Sequence, residues 1–357
     1  MKTHTSDNII LAKNKSLPKD APNKNILVIG GPGSGKTRNF VKANLLQMHG
    51  SYVVSDFKVE VQSDVGTALK HGGYDIKMFN VLDVSNSMKY NPFSYLHGEN
   101  DIAEFVDMLI ANTKGDDGSD YFVNIEKLLL HSYIGFICSE FSENERNLTS
   151  LFNMLKTAAG RVSVKAAASC YTRLAPFDTA EMRKLTEYDE MNLGTAGKKK
   201  TAIFIENSWQ SERLRFLTAV MYSQLYKLLY ENKPSIPVRF FLDNFSDIGE
   251  IPKLEKYTAI FRANEVSTAI IVQALSQLEY FHKDAAEVIV GNCDTVLFLG
   301  CRERETVKFM SELTGFSENE IAFKSSNNCI VRTLNDTAYC DKYDLANHPN
   351  YKLTAGV

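Results

Sequence analysis

Short apolar runs ending at glycine, serine or asparagine alternate with longer segments of helical spacing along the first part of the chain. Residues 25–29 form a short, mainly apolar run into glycine, 51–55 (Ser-Tyr-Val-Val-Ser) and 76–80 read alike, and 38–47 has apolar positions at helical intervals. Runs of that kind suit strands buried on both faces of a parallel sheet. Strand, glycine-rich turn, helix, strand is the βαβ unit of an α/β fold. The period then changes: 101–112, 123–141, 147–158 and 162–174 have helical spacing, with exposed connections expected at 116–119 and 197–200. Strands resume at 201–206, 238–242, 267–272 and 295–299, alternate with helices such as 213–230, and are joined by an edge strand at 330–333. The expectation is an α/β fold with a central, mainly parallel sheet built by 25–97 and 200–357, and an inserted all-α subdomain over 98–199. Residues 1–24 are polar and predict a disordered leader; 344–357 predicts an irregular tail.

Composition narrows the class without naming it. With 357 residues, 44% hydrophobic and 23% charged, the chain has the make-up of a soluble globular protein. A net charge of -3 argues against a wholly basic nucleic-acid coat, yet leaves room for a local basic groove. The six cysteines (Cys138, Cys170, Cys293, Cys301, Cys329, Cys340) are scattered, without a Cys-x-x-Cys pair, so disulfide and zinc readings are poor and a reducing cytoplasm fits better. No run reaches the roughly 18 to 20 apolar residues that span a bilayer, and the polar start is neither a signal peptide nor an anchor.

The chemistry concentrates at Gly30-Gly31-Pro32-Gly33-Ser34-Gly35-Lys36-Thr37, which fits the P-loop pattern G-x-x-x-x-G-K-[ST] between an expected strand and an expected helix. Glycines let backbone N–H groups curl around phosphate oxygens, and the helix N-terminus adds a favourable dipole. Lys36 is expected to reach the β- and γ-phosphates of ATP, and Thr37 to ligate magnesium. A second apolar strand should end in a carboxylate that holds the magnesium shell, and Arg239-Phe240-Phe241-Leu242-Asp243 supplies one. Motor ATPases of this kind usually place a glutamate next, to polarise the attacking water. Here the position is Asn244, and an amide cannot accept a proton as a carboxylate does.

Weaker candidates surround this pair. Gln273, after strand 267–272, either senses the γ-phosphate or has a structural role. Arg262, Arg302 and Arg304 are either charge-stabilising arginines for a neighbouring subunit or solvated surface residues. Lys198-Lys199-Lys200 either touches DNA phosphate or is a solvated loop. Trp209 either meets a subunit or packs half-buried.

On these motifs the chain resembles the type IV coupling proteins of the TraG/TraD class, especially those of Gram-positive conjugative elements. The likeness spans about 8–352. It rests on Val28-Ile29-Gly30-Gly31 entering the P-loop, Ser51-Tyr52-Val53-Val54-Ser55-Asp56, Lys89-Tyr90-Asn91-Pro92-Phe93 and Arg173-Leu174-Ala175-Pro176-Phe177. Further stretches are Ile248-Gly249-Glu250-Ile251-Pro252, Gly291-Asn292-Cys293-Asp294-Thr295, Leu297-Phe298-Leu299-Gly300, Lys342-Tyr343-Asp344-Leu345 and His348-Pro349-Asn350-Tyr351.

The resemblance implies a RecA/FtsK-like P-loop domain with an all-α domain inserted. It implies a homo-hexameric ring with ATP between subunits, which hands a relaxase-bound single strand of DNA to a type IV secretion channel. It places the protein in the cytoplasm at the inner face of the membrane, held through partners or a missing N-terminal anchor. Three departures stand out: no membrane helices; Asp56-Phe57-Lys58-Val59-Glu60 where the family usually reads Asp-Pro-Lys-Gly-Glu; and Asp243-Asn244 where it reads Asp-Glu. Glu60 and Asp247 are candidate replacements for the missing base. Two readings stay open, a DNA-translocating motor with slow hydrolysis and a degenerate paralogue acting as nucleotide-binding adaptor or regulator. A small-molecule kinase ranks last, because it predicts neither the late strands nor the helical insert.

Overall fold

The buried run Ile26–Gly30 has its equals in Ser51–Asp56, Thr201–Glu206 and Val266–Val272, and these runs are parallel strands of one sheet. The computed structural model describes residues 8–56, 59–113, 120–159, 165–206, 215–261, 265–282 and 285–354. In chain order the strands are β1 (Ile9–Ala12), β2 (Lys15–Leu17), β3 (Ile26–Gly30), β4 (Ser51–Asp56), β5 (Asp75–Phe79), β6 (Thr201–Glu206), β7 (Val238–Leu242), β8 (Val266–Val272), β9 (Thr295–Gly300), β10 (Asn328–Thr333) and β11 (Asp336–Asp341). Among the described residues, nine of them form one sheet in the order β11-β10-β9-β3-β8-β7-β4-β6-β5. The strands from β9 to β5 are parallel, and β10 and β11 close one side antiparallel. The fold is α/β with a central, mainly parallel sheet.

Successive side chains of a strand face opposite ways, so each buried strand feeds two cores. Leu27, Ile29, Val53, Ile203, Ile205, Phe240, Leu242 and Ile270 face one way, Ile26, Val28, Tyr52, Val54, Phe204, Phe241 and Ile271 the other. The helix after the P-loop, π-wound over Lys36–Lys42 and completed by α1 (Ala43–Leu45), lies on the second face with α2 (Glu60–His71). Phe40 meets Phe241 edge-on at 5.9 Å there.

On the first face lie α3 (Glu99–Thr113), α4 (Asp120–Glu140), α5 (Leu148–Ala159), α6 (Lys165–Leu174), α7 (Ala180–Leu185) and α8 (Arg215–Glu231). Their apolar residues are continuous with the sheet's own core. The family-like stretch at 89–93 ties the helical block down: Tyr90 donates its hydroxyl to Gln224 Oε1 at 2.5 Å, and Gln224 returns a bond to the Pro92 carbonyl at 3.0 Å. The remaining helices are α9 (Leu254–Ile260), α10 (Ser276–His282), α11 (Ala286–Gly291), α12 (Arg304–Thr314) and α13 (Glu318–Ala322).

Two sequence expectations need correction. The polar leader is not disordered over residues 9–17: β1 and β2 pair as a hairpin whose Ile9, Leu11, Ala12 and Leu17 are buried. Asn44 holds it by a two-way amide contact, accepting from Ile10 N–H and donating to Ile10 C=O, both at 2.9 Å. The edge strand is β11 rather than 330–333, because β10 pairs with β9 on one side and β11 on the other. Phe57, Lys58, Trp209, Arg262 and the connection at 116–119 lie outside the described residues.

Candidate functional site

The P-loop leaves the carboxyl end of β3, near the middle of the sheet, where ligands of open parallel sheets bind. Its backbone needs glycine at two points: Gly33 and Gly35 have φ of 70° and 91°, in the left-handed region. A Cβ on Gly35 would also collide with Asn39 Oδ1, and one on Gly30 with Ser34 Oγ. Gly31 N–H donates to Gly300 C=O at the end of β9 at 2.7 Å, which braces the loop. The result is a tight turn into a helix N-terminus.

Lys36 is buried and donates Nζ to the Gly30 and Gly31 carbonyls at 2.6 and 3.2 Å. Burial lowers its pKa, against the pull of Asp243 and Cys301. Thr37 donates Oγ1 to Asp243 Oδ2 at 2.6 Å, joining residues separated by 206 positions. Asp243, just past the end of β7, is buried, and burial raises its pKa against the Thr37 hydrogen bond and the Lys36 charge. Ser55 Oγ, on β4, donates to the Asp243 carbonyl at 2.7 Å and fixes the strand end.

These groups suit a magnesium-bound triphosphate. Thr37 and Asp243 are hard oxygen donors in contact, of the kind magnesium prefers. Ser34 Oγ is buried within the loop without a hydrogen-bond partner. Lys36 Nζ is held against the start of the loop by the Gly30 and Gly31 carbonyls. The donor set fits.

The structure places the other sequence candidates unevenly. Asn244 takes φ 54°, a left-handed conformation that asparagine tolerates better than most residues, and donates its N–H to Asp243 Oδ1 at 3.0 Å. Gln273 follows β8, whose Val272 pairs with Ile29, so it stands between the P-loop strand and β7. Its own N–H is taken by Gln277 Oε1 at 2.8 Å. Glu60 is exposed and paired with Lys42 at 2.8 Å, and its charge adds to the upward push on Asp243. Asp247 lies in the turn beyond Asn244, 3.9 Å from Arg215. Arg302 and Arg304 are exposed beyond β9.

The lysine run sits at the opposite, amino-terminal ends of the strands. Lys199 pairs with Asp75 at 2.9 Å, Lys200 donates to the Met48 carbonyl at 3.0 Å, and Lys198 is exposed. Among the described residues no group of three or more His, Cys, Asp or Glu side chains could hold a metal ion, and no helix is long and apolar enough to cross a membrane. Sequence reasoning missed Lys342, which donates Nζ to the Ser34 carbonyl of the P-loop at 2.7 Å from 308 positions away. It also missed the Tyr343 carbonyl, which accepts from Asn39 at 2.6 Å. Neither contact carries a local signal.

A glycine-rich turn between a buried parallel strand and a helix, facing a strand-end carboxylate, defines a P-loop NTPase of RecA-like fold. The family model described as Type IV secretory system Conjugative DNA transfer matches residues 3–162, and the one described as TraM recognition site of TraD and TraG matches 237–333. The chain belongs to the type IV coupling protein family of conjugative DNA transfer. Its fold is similar to that of the bacterial conjugative coupling protein TrwBdeltaN70, with a TM-score of 0.76, 14% identity, and coverage of 98% of this chain and 92% of that one. TrwB in complex with ADP and Mg2+ gives 0.76, 14%, 96% and 91%. VirB4 of Thermoanaerobacter pseudethanolicus gives 0.71, 11%, 98% and 99%. No curated protein sequence matches.

Proposed function

We propose that the chain is the ATP-driven motor that delivers a relaxase-bound DNA strand to a type IV secretion channel. The observation that carries this reading is the 2.6 Å contact between Thr37 and Asp243, which brings a phosphate loop and a metal-shell carboxylate together at the carboxyl ends of the central strands. The P-loop amides and Lys36 bind the β- and γ-phosphates, while Thr37 and Asp243 hold magnesium. Magnesium bound there would supply positive charge to the phosphate oxygens. Gln273, at the end of β8, senses the γ-phosphate, and Glu60 or Asp247 takes the place of the missing base. TrwB, of like fold, has been solved with ADP and Mg2+ and with the ATP analogue ADPNP, which supports this choice of ligand.

The working unit is a homo-hexameric ring with ATP between subunits, held at the inner face of the cell membrane through partners. Residues 98–199 form the inserted helical unit that selects substrate. Phosphate release measured with and without single-stranded DNA tests the motor: turnover should rise with DNA. Asn244 favours a second reading, a nucleotide-binding adaptor, which tight ATP binding without DNA-stimulated turnover would support. Asn244→Glu separates them. It restores a base and should raise turnover, while forcing glutamate into a left-handed backbone at a cost of about 1 kcal/mol of stability. An unchanged rate in a folded variant removes position 244 from the catalytic group.

A further inference from the structure

We infer that the nucleoside half of the nucleotide is seated by the chain's own C-terminal segment, in a cleft between Arg38 and Tyr343. This rests on the P-loop reading and extends it to a part of the ligand that no residue above accounts for. The Thr37–Asp243 contact fixes the direction of the ligand. Asp243 follows β7 and Gln273 follows β8, so magnesium and the γ-phosphate belong on that side of β3. The nucleoside must leave the P-loop on the other side, toward β9, β10 and β11.

A cleft of about 1070 Å³ opens there, ample for a ribose and a base. One wall is the first turn after the P-loop, with Arg38 and Asn39; the other is the chain following β11, with Lys342, Tyr343 and Asn347. Arg38 is exposed and, among the described residues, has no hydrogen-bond or ion-pair partner. Tyr343 is half-buried, its ring braced edge-on by His348 at 6.3 Å. A guanidinium plane and a phenol ring lining one cleft suit a flat heteroaromatic base.

The far wall is rigid where it matters. Asn39 donates to the Tyr343 carbonyl at 2.6 Å, Lys342 to the Ser34 carbonyl at 2.7 Å, and Asn350 to the Leu46 carbonyl at 2.7 Å. Three bonds therefore clasp the segment 342–350 to the P-loop and its helix, and hold Tyr343 in place before any ligand arrives.

Inorganic tripolyphosphate carries the phosphates without the nucleoside, so calorimetry of the full chain with magnesium–ATP and with magnesium–tripolyphosphate isolates the subsite. Tyr343→Ala should weaken ATP about tenfold and leave tripolyphosphate within about twofold, whereas Tyr343→Phe keeps the ring and the affinity. Arg38→Lys keeps the charge but loses the plane, and should weaken ATP about threefold with tripolyphosphate unchanged. Being on the surface, that substitution tests the cleft even if Tyr343→Ala loosens the tail. Equal weakening of both ligands, or no weakening of ATP in either variant, overturns the subsite while leaving the P-loop reading standing. A wild-type chain that binds neither ligand overturns both.

Discussion

Two neighbouring turns in this sheet solve the same geometric problem with opposite chemistry. After β3 and after β4 the chain leaves a buried parallel strand and enters a helix, and in each case the residue just before the helix is left-handed: Gly35 with φ 91° and Val59 with φ 60°. What differs is the fate of the helix N-terminal amides. After β4 they are consumed internally, since Asp56 Oδ1 and Oδ2 accept from Val61 and Gln62 N–H, both at 2.7 Å. After β3 no side chain caps the helix. A turn that supplies its own carboxylate is closed to anions; one built from glycine, with a lysine at its mouth, is open to them. The same backbone device is structural in one place and a ligand site in the other.

The sharpest way to break this contrast is Lys36→Ala. Removing the cation of a buried, charge-assisted contact should weaken magnesium–ATP by about 3 kcal/mol, a hundredfold or more, as read in a calorimeter. Affinity equal to wild type would reduce the loop to a structural turn like its neighbour.

Asp56 offers the next largest effect, in pH dependence. Burial pushes its carboxyl up to about 6 although two amides and Lys42 pull the other way. Its folded pKa thus exceeds the unfolded value near 4. A proton then binds the folded state more tightly, and the stability this group contributes is full below pH 4 and lost as pH rises through about 6. The advantage of wild type over Asp56→Ala in denaturant melts should shrink across that window, by at most about 3 kcal/mol. A flat difference between pH 4 and pH 6 would mean that the cap is not buried.

The contrast also marks what a sequence can disclose. The P-loop was legible because its requirements are contiguous: positive φ, close backbone approach and a cation fall within Gly30–Thr37, and an apolar run ending in acid pointed to Asp243. The presence of a mainly parallel sheet followed from apolar runs such as the one that ends β8, while the order of its strands did not. The hairpin at 9–17 was hidden because its burial depends on Asn44, a residue that reads as an ordinary helix position until its amide meets Ile10 on both sides. The strand β11 was hidden because it lies at the sheet edge, largely exposed, and lacks an apolar run. The clasp from Lys342 and Tyr343 joins segments about three hundred positions apart, and no local pattern announces that.

Val59 sharpens the comparison with the smallest effect. It occupies the place where the family usually has glycine, and a β-branched residue at φ 60° holds a backbone conformation that costs of order 1–3 kcal/mol. Val59→Gly removes that strain but gives the unfolded chain more freedom, which returns about 0.4–1 kcal/mol. The half-buried valine side chain is also lost. The balance predicts a gain of about 1 kcal/mol in a denaturant midpoint experiment, with the Ser63 hydroxyl still donating to the residue 59 carbonyl. Gly35→Val, the reciprocal change, should not be its mirror image, because a side chain there meets Asn39 as well as the positive φ. If Val59→Gly instead lowers stability, the side chain contributes more by packing than the backbone loses by strain. Glycine in the P-loop would then be retained for access to its amides rather than for its φ alone.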